Sequence, residues 1–164
     1  MLRLILLGAA LSLTAACSAG DPVSDQEDGA AQATVQALYD GFAAGDIAMA
    51  TSTMSPEIVW QEAEGNPYAD LNPYVGPDAI VSGLFARLAT EWDSFTATPG
   101  EFVVEGDRVV VFGRYTATHK ATGKAMDIPF VHSYSVDGDQ IVSFQQYTDT
   151  ENHVAAMTAD SVGD

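Results

Sequence analysis

Apolar residues recur at helical spacing near the start of the chain, at Val35, Leu38, Tyr39 and Phe42, and Gly45 follows as a stop. A period near 3.6 closed by glycine predicts a helix over Ala31–Ala44. Asp46 is placed to cap a short second helix, Ile47–Thr53, and Ser55-Pro56 breaks the chain before a short strand, Ile58–Gln61. The segment EAEGNPYADLNPYVG is rich in turn residues and reads as a loop. Pro77 suits the first turn of a third helix, in which Val81, Leu84, Phe85 and Leu88 form one apolar stripe and Trp92 ends it as a core residue.

From Ser94 onward the period shortens to two. EFVVEGDRVVVFGRYTATH reads as two strands around Gly106-Asp107, KATGK turns into a third over Ala125–Val136, and Asp137-Gly138 turns into a fourth over Gln140–Tyr147. Helices first and an antiparallel meander second predict an α+β domain: N-terminal helices packed on a curved, mostly antiparallel sheet. Such a sheet leaves a cone-shaped pocket, lined by strand residues of one parity and closed by the helices.

The first residues, MLRLILLGAALSLTAAC, carry one positive charge (Arg3) and then an apolar run from Leu4 to Leu13, too short to span a bilayer as a mature helix. Residues 1–16 therefore read as an export signal. Leu13-Thr14-Ala15-Ala16-Cys17 resembles the lipobox of bacterial lipoproteins, with Thr14 where that family usually has Leu. The resemblance implies cleavage before Cys17, the chain's single cysteine, and its acylation, a lipid anchor in the cell envelope. The alternative is a soluble secreted protein whose thiol goes unused. Residues 17–29 are small, polar and acidic and read as a flexible tether, 30–157 as one domain, and 158–164 as a disordered tail. The net charge of -17 repels phosphate backbones, so nucleic acid is excluded as a partner.

The helical start VQALYDGFAAGD, the segment VGPDAIVSGLFARLATEWDSF, the hairpins GDRVVVFGRYTATHKATGKAMDIPFVHSYSV and the last strand DGDQIVSFQQYTDT follow one another in order over nearly all of residues 31–157. In this the chain resembles the SnoaL-like group of the ketosteroid-isomerase and nuclear-transport-factor-two superfamily. That superfamily includes polyketide cyclases, steroid isomerases, epoxide hydrolases and binding proteins without activity, so the resemblance implies a fold more than a function. It also implies roles for two residues. His132 and Asp149 stand where such sequences often carry a His on the penultimate strand and an Asp after the last, groups that serve acid/base chemistry in the cyclases. A homodimer through the outer sheet face is a habit of the superfamily, and Val109, Val111, Val131 and Ser133 are the candidates here.

Parity supports His132 independently. It shares a strand face with Met126, Ile128, Phe130, Tyr134 and Val136, so its ring should point inward among apolar neighbours. It is then either an acid/base group or a core histidine satisfied by backbone or a Tyr hydroxyl. Asp149 depends on register. A two-residue turn puts it on the face of His132 with Ser143, Gln145 and Tyr147, a bulge puts it on the other face, and it can equally cap the last helix, TENHVAAM. Trp60, Tyr74, Phe130, Tyr134 and Tyr147 are the candidate ligand contacts, with Tyr68 and Tyr74 on the loop that would cover the pocket. His119 sits at a hairpin tip and reads as exposed, and His153 falls in the C-terminal tail region. No Cys/His spacing points to a metal, and no glycine-rich phosphate loop or nucleophile elbow points to a cofactor or covalent chemistry.

Two functions fit. One is a cofactor-independent enzyme, cyclase- or isomerase-like, in which His132 or Asp149 moves a proton on an apolar cyclic or carbonyl ligand. The other is an envelope-anchored binding or assembly module with a small apolar ligand. The anchor itself is testable. Labelled palmitate should enter the wild type and not Cys17→Ser, and the variant should leave the membrane fraction; equal labelling of both proteins, or of neither, would reject lipidation.

Overall fold

The computed structural model describes residues 22–160. The signal segment and Cys17 lie outside the described residues. Helix α1 spans Pro22–Ala44 and buries Ala31, Val35, Leu38 and Tyr39 on one face. It begins well ahead of Ala31, so part of the acidic stretch expected to be a flexible tether is helical. One reason is visible: the Asp28 carboxylate accepts the Gly106 N–H at 2.8 Å and ties the helix to the turn between the third and fourth strands. Gly45 ends α1 at φ 67°, and Asp46 caps α2 (Ile47–Thr51) by accepting the Met49 N–H at 3.0 Å. The two helices meet where Gly41 lies against Ala50, since a Cβ there would stand 2.3 Å from the Ala50 nitrogen.

The strands are β1 (Met54–Gln61), β2 (Tyr74–Val75), β3 (Trp92–Glu105), β4 (Arg108–His119), β5 (Ala125–Asp137) and β6 (Gln140–Thr148). They form one sheet in the order β2-β1-β6-β5-β4-β3. Every neighbouring pair is antiparallel except β1 and β6, which run parallel, so the sheet is mixed and open. Strand β1 starts earlier than its apolar run suggests, because Met54 already pairs with Ile141. The expected loop after it contains a 3-10 turn, Pro67–Leu71, and β2.

The third helix is built in three pieces: α3 (Pro77–Ile80), a π turn over Val81–Phe85, and α4 (Ala86–Glu91). The wide turn, closed by the Ala86 N–H on the Val81 carbonyl, buries the adjacent Leu84 and Phe85 together. Such turns are often found at functional sites. Strand β3 then starts at Trp92, which is buried as expected and belongs to the strand instead of the helix. Its register with β4 slips between Asp93 and Thr96, beside Ser94 at φ 53°, and again between Pro99 and Glu101. A third slip separates Ser135 and Val136 on the β5–β6 pair. Bulges bend a strand and increase its twist, and these three curve the sheet around the helices.

Parity on β5 is as the sequence predicts. Met126, Ile128, Phe130, His132, Tyr134 and Val136 are all buried. The outer face differs from expectation. Val109 and Val111 pair with Tyr134 and His132, point inward with them, and are fully buried. Phe112, 43% exposed, stands with Val131 and Ser133 on the outside instead.

Central packing has one close point. Gly113 faces Phe130 across the β4–β5 ladder, and a Cβ there would lie 2.3 Å from the Phe130 Cζ and 2.5 Å from the Thr98 carbonyl oxygen. Gly113→Ala should cost about 1–3 kcal/mol by overpacking, read as a fall in the urea midpoint at unchanged slope. The slowest-exchanging amides should lie in β4 and β5, at the centre of the antiparallel ladders.

Candidate functional site

A cavity of ≈ 40 Å³ lies between α1, the π turn with α4, β1, and the inner face of β3–β6. Its wall is apolar for the most part, and at its edge the half-buried Phe42 meets Phe85 and the half-buried Phe95, at 5.3 and 6.3 Å between ring centres. At ~10–15 Å³ per water such a space holds about three waters, so a ring-sized ligand must push the aromatic edge apart. Five of the polar side chains facing the cavity, Tyr39, Tyr115, His132, Tyr134 and Gln146, form one hydrogen-bonded system.

His132 is at its centre. The ring stacks on Phe130 at 3.9 Å, its Nδ1 is 2.7 Å from the Tyr39 hydroxyl, and its Nε2 is 2.5 Å from the Tyr115 hydroxyl. Burial pushes its pKa well below the ordinary imidazole value, so the ring is neutral and carries one proton. Tyr134 donates to the Tyr39 oxygen at 2.9 Å, and the Gln146 amide donates to the Tyr115 oxygen at 2.9 Å. The three hydroxyls and the ring supply four protons for three close contacts: Tyr134 to Tyr39, Tyr39 to Nδ1, and Nε2 to Tyr115. One hydroxyl proton is left over. It belongs to Tyr115 when Nε2 is protonated and to Tyr39 when Nδ1 is, and both residues line the cavity.

The second chemical group is one the sequence reading missed. Glu62 directly follows β1, is 4% exposed, and lines the same cavity. Its carboxylate accepts from Trp60 Nε1 at 2.8 Å and, at 3.4 Å, from Asn66 Nδ2. Burial raises its pKa to about 7, with the donors Trp60 and Gln146 offsetting only part of that. The signal is an alternation, since Ile58, Trp60 and Glu62 share one parity, but the turn residues that begin at residue 62 mask it. Asn66 Nδ2 and the Ala63 N–H both donate to Gln146 Oε1, at 2.7 and 3.2 Å, which fixes the loop against β6 and orients the Gln146 amide toward Tyr115.

The other candidates divide cleanly. Trp60 and Tyr134 line the cavity, and Phe130 backs His132 without lining it. Tyr74 is buried elsewhere: its hydroxyl donates to the Tyr68 carbonyl at 2.6 Å and its ring fills the space left by Gly83. Tyr147 is 57% exposed on the outer face. Asp149 is at the surface and caps α5 (Thr150–Met157), accepting the Asn152 N–H at 3.1 Å; those bonds to Asn152 lower its pKa. The cause is register. The turn places Asp137 opposite Gln140, and with the slip between Ser135 and Val136 this sets Gln146, not Ser143, opposite His132. Inward positions on β6 therefore fall on Phe144 and Gln146, and Tyr147 and Asp149 are excluded from the cavity. His119 and His153 correct the reading in the opposite sense. Both are buried, His119 against Trp92 at 5.0 Å and His153 on α5 beside the cavity. Among the described residues no cluster of His, Cys, Asp and Glu is arranged to hold a metal ion, and no helix is long and apolar enough to cross a membrane.

This arrangement belongs to a known class: the chain is a member of the SnoaL-like domain family, which matches residues 35–144. Among solved structures it is similar to an NTF2-like protein from Burkholderia thailandensis, at 35% identity over 79% of this chain and 97% of that one, with a TM-score of 0.74. It is also similar to TerC, crystallised with polyporic acid, at 28% identity, 78% and 98% coverage and a TM-score of 0.71. A protein from Jannaschia described as a putative SnoaL-like polyketide cyclase shares the fold at 23% identity, 90% and 99% coverage and a TM-score of 0.67. No protein of curated function matches the chain.

Two predictions follow from the charges. Glu62 has a raised folded pKa, so its proton is held more tightly in the folded chain, and the stability this gives is full below about 4.5 and lost as pH rises through about 7. Glu62→Gln removes the effect; the variant should gain about 3 kcal/mol on the wild type between pH 4 and pH 8 in urea unfolding, at 1.36 kcal/mol per pKa unit. His132, in contrast, should stay neutral in side-chain NMR as the pH falls through the ordinary imidazole value and show no response to Asp149→Asn, since Asp149 does not share its cavity.

Proposed function

We propose that this protein binds a small apolar molecule bearing a carbonyl oxygen in the cone and moves a proton on it without a cofactor. The observation that carries the reading is Glu62, with its pKa near 7, in the same cavity as the unspent hydroxyl proton of the His132 network. Glu62 as carboxylate takes a proton from the carbon next to the carbonyl. The electron pair moves to the oxygen, which accepts the hydrogen bond from Tyr115 or Tyr39. Glu62 then returns the proton to the same or a different carbon, and the carboxylate is restored. A base whose pKa lies near ambient pH is suited to this exchange, and an oxygen that becomes negative in a dry cavity gains most from a preplaced donor. His132 does not titrate in this scheme. It holds the two tyrosines in place and sets which of them keeps the free proton.

A second reading is supported by the size of the cavity. At ≈ 40 Å³ the cavity has to open before it admits a ring, and a protein that opens only to hold its ligand needs no further chemistry. TerC is a relative crystallised with polyporic acid, and ligand holding is common to both readings. Export and anchoring through Cys17 would place either activity at the cell envelope. The outer sheet face, with Phe112 and Val103 exposed, is the surface on which a second copy would pair, and light scattering of residues 18–164 tests it.

Exchange in heavy water separates the two readings. With cyclohexanone as probe, the wild type should speed deuterium uptake next to the carbonyl, and Glu62→Gln should lose that by about 10²-fold or more. Tyr115→Phe with Tyr39→Phe should weaken it too. Probe binding seen by NMR without any exchange would leave a binding protein, and neither binding nor exchange with this or larger cyclic ketones would reject the site.

A further inference from the structure

His153 is a second polar feature of the same cavity, and the network described above does not use it. It sits on α5, is 2% exposed, and packs against Tyr68 and Trp92 at 5.7 and 5.4 Å between ring centres. Its Nδ1 is 3.4 Å from Asn66 Nδ2. The orientation of that amide is fixed, because Asn66 Oδ1 accepts the Tyr68 N–H at 2.9 Å and Nδ2 donates to Gln146 Oε1. One Nδ2 hydrogen goes to Gln146 Oε1 and the other lies between Glu62 Oε2 and His153 Nδ1, each 3.4 Å away. An amide nitrogen accepts no hydrogen bond, so a proton on Nδ1 would have no acceptor there, and the neutral imidazole carries its proton on Nε2. Among the described residues Nε2 is a buried polar atom without a partner. A buried donor left unpaired costs free energy that a hydrophobic ring of the same shape would avoid. His153 is one of the residues lining the cavity, so a molecule held there is the partner within reach of its ring.

We propose that His153 Nε2–H is a specificity-determining donor that receives a second oxygen of the ligand, so that the cavity selects an apolar ring carrying two acceptor oxygens over one carrying a single oxygen. The inference rests on the carbonyl-binding reading of the site: the first oxygen takes the free tyrosine proton and the second takes the histidine proton. Glu62 does not compete, since among the described residues His153 Nε2 has no hydrogen-bond partner and the Glu62 carboxylate accepts from Trp60 and Asn66.

The test compares cyclohexanone with 1,4-cyclohexanedione as probes on the folded protein. Their affinity ratio in the wild type is divided by the ratio in His153→Phe, which cancels the different hydration of the two probes and the two-fold statistical advantage of the diketone. The diketone preference should fall about 5–10-fold in the variant, the worth of one neutral hydrogen bond, and His153→Gln, which keeps an N–H donor, should restore part of it. His153→Phe should also melt at the wild-type temperature or above. An imidazole kept only for structure predicts the opposite pattern: a lower melting temperature and an unchanged ratio. The Nε2–H proton of His153 should shift in NMR on adding the diketone. An unchanged ratio or an unmoved Nε2–H signal, with cyclohexanone binding intact and sensitive to Tyr115→Phe, would overturn the His153 assignment alone. Loss of all response to cyclohexanone would instead overturn the carbonyl-binding reading on which it rests.

Discussion

The structure depends on one buried imidazole held between two phenols. Tyr39 comes from α1 and Tyr115 from β4, and His132 on β5 bonds to both. Through these contacts the first helix is fastened to the middle of the sheet, over a sequence distance that no local preference could bridge. The bond is polar in an apolar interior, so it is worth little unless complete and costly if broken. Completing it requires Tyr134 behind Tyr39 and Gln146 behind Tyr115, and Gln146 in turn holds the loop at Asn66. Helix, sheet and loop are therefore set by one chain of hydrogen bonds.

The same chain explains why the chemistry divides as it does. The histidine is too deeply buried to charge, so it acts by ordering hydroxyls. The group that can change charge near neutral pH is Glu62, brought to the cavity by the last turn of alternation in β1 and kept there by Trp60. Burial raises the proton affinity of an acid and lowers that of a base. One dry cavity thus yields a carboxyl near pH 7 and, in His153, an imidazole with its pKa pushed down to about 4. Burial is the leading cause of both shifts, with His119 adding to that of His153, and in the function proposed above the two groups are a proton acceptor and a neutral donor.

The curvature that creates the cavity also removed two expected members from it. Each bulge changes strand parity by one, and the slip between Ser135 and Val136 carried Tyr147 and Asp149 to the outer surface while bringing Gln146 in. A carboxylate at the end of β6 then had a local use as the cap of α5, which satisfies an N–H that the helix start leaves open.

The sequence by itself determined the class of the fold, the helical start, the order of the strands and the inward direction of His132, Phe130 and Tyr134. These rest on periods of 3.6 and 2, which are properties of neighbouring residues. Tertiary structure decided the rest. The parallel pairing of β1 with β6, the inward-facing Val109 and Val111, the burial of His119 and His153, and the identity of Glu62 as the titrating group all depend on which distant segment lies opposite. A hydrophobic pattern fixes the face a residue prefers only when the strand is unbroken, and a single bulge reverses it. Proton affinity is set by the whole enclosure around a group, so the group that titrates in the cavity could be known only once the cavity had closed.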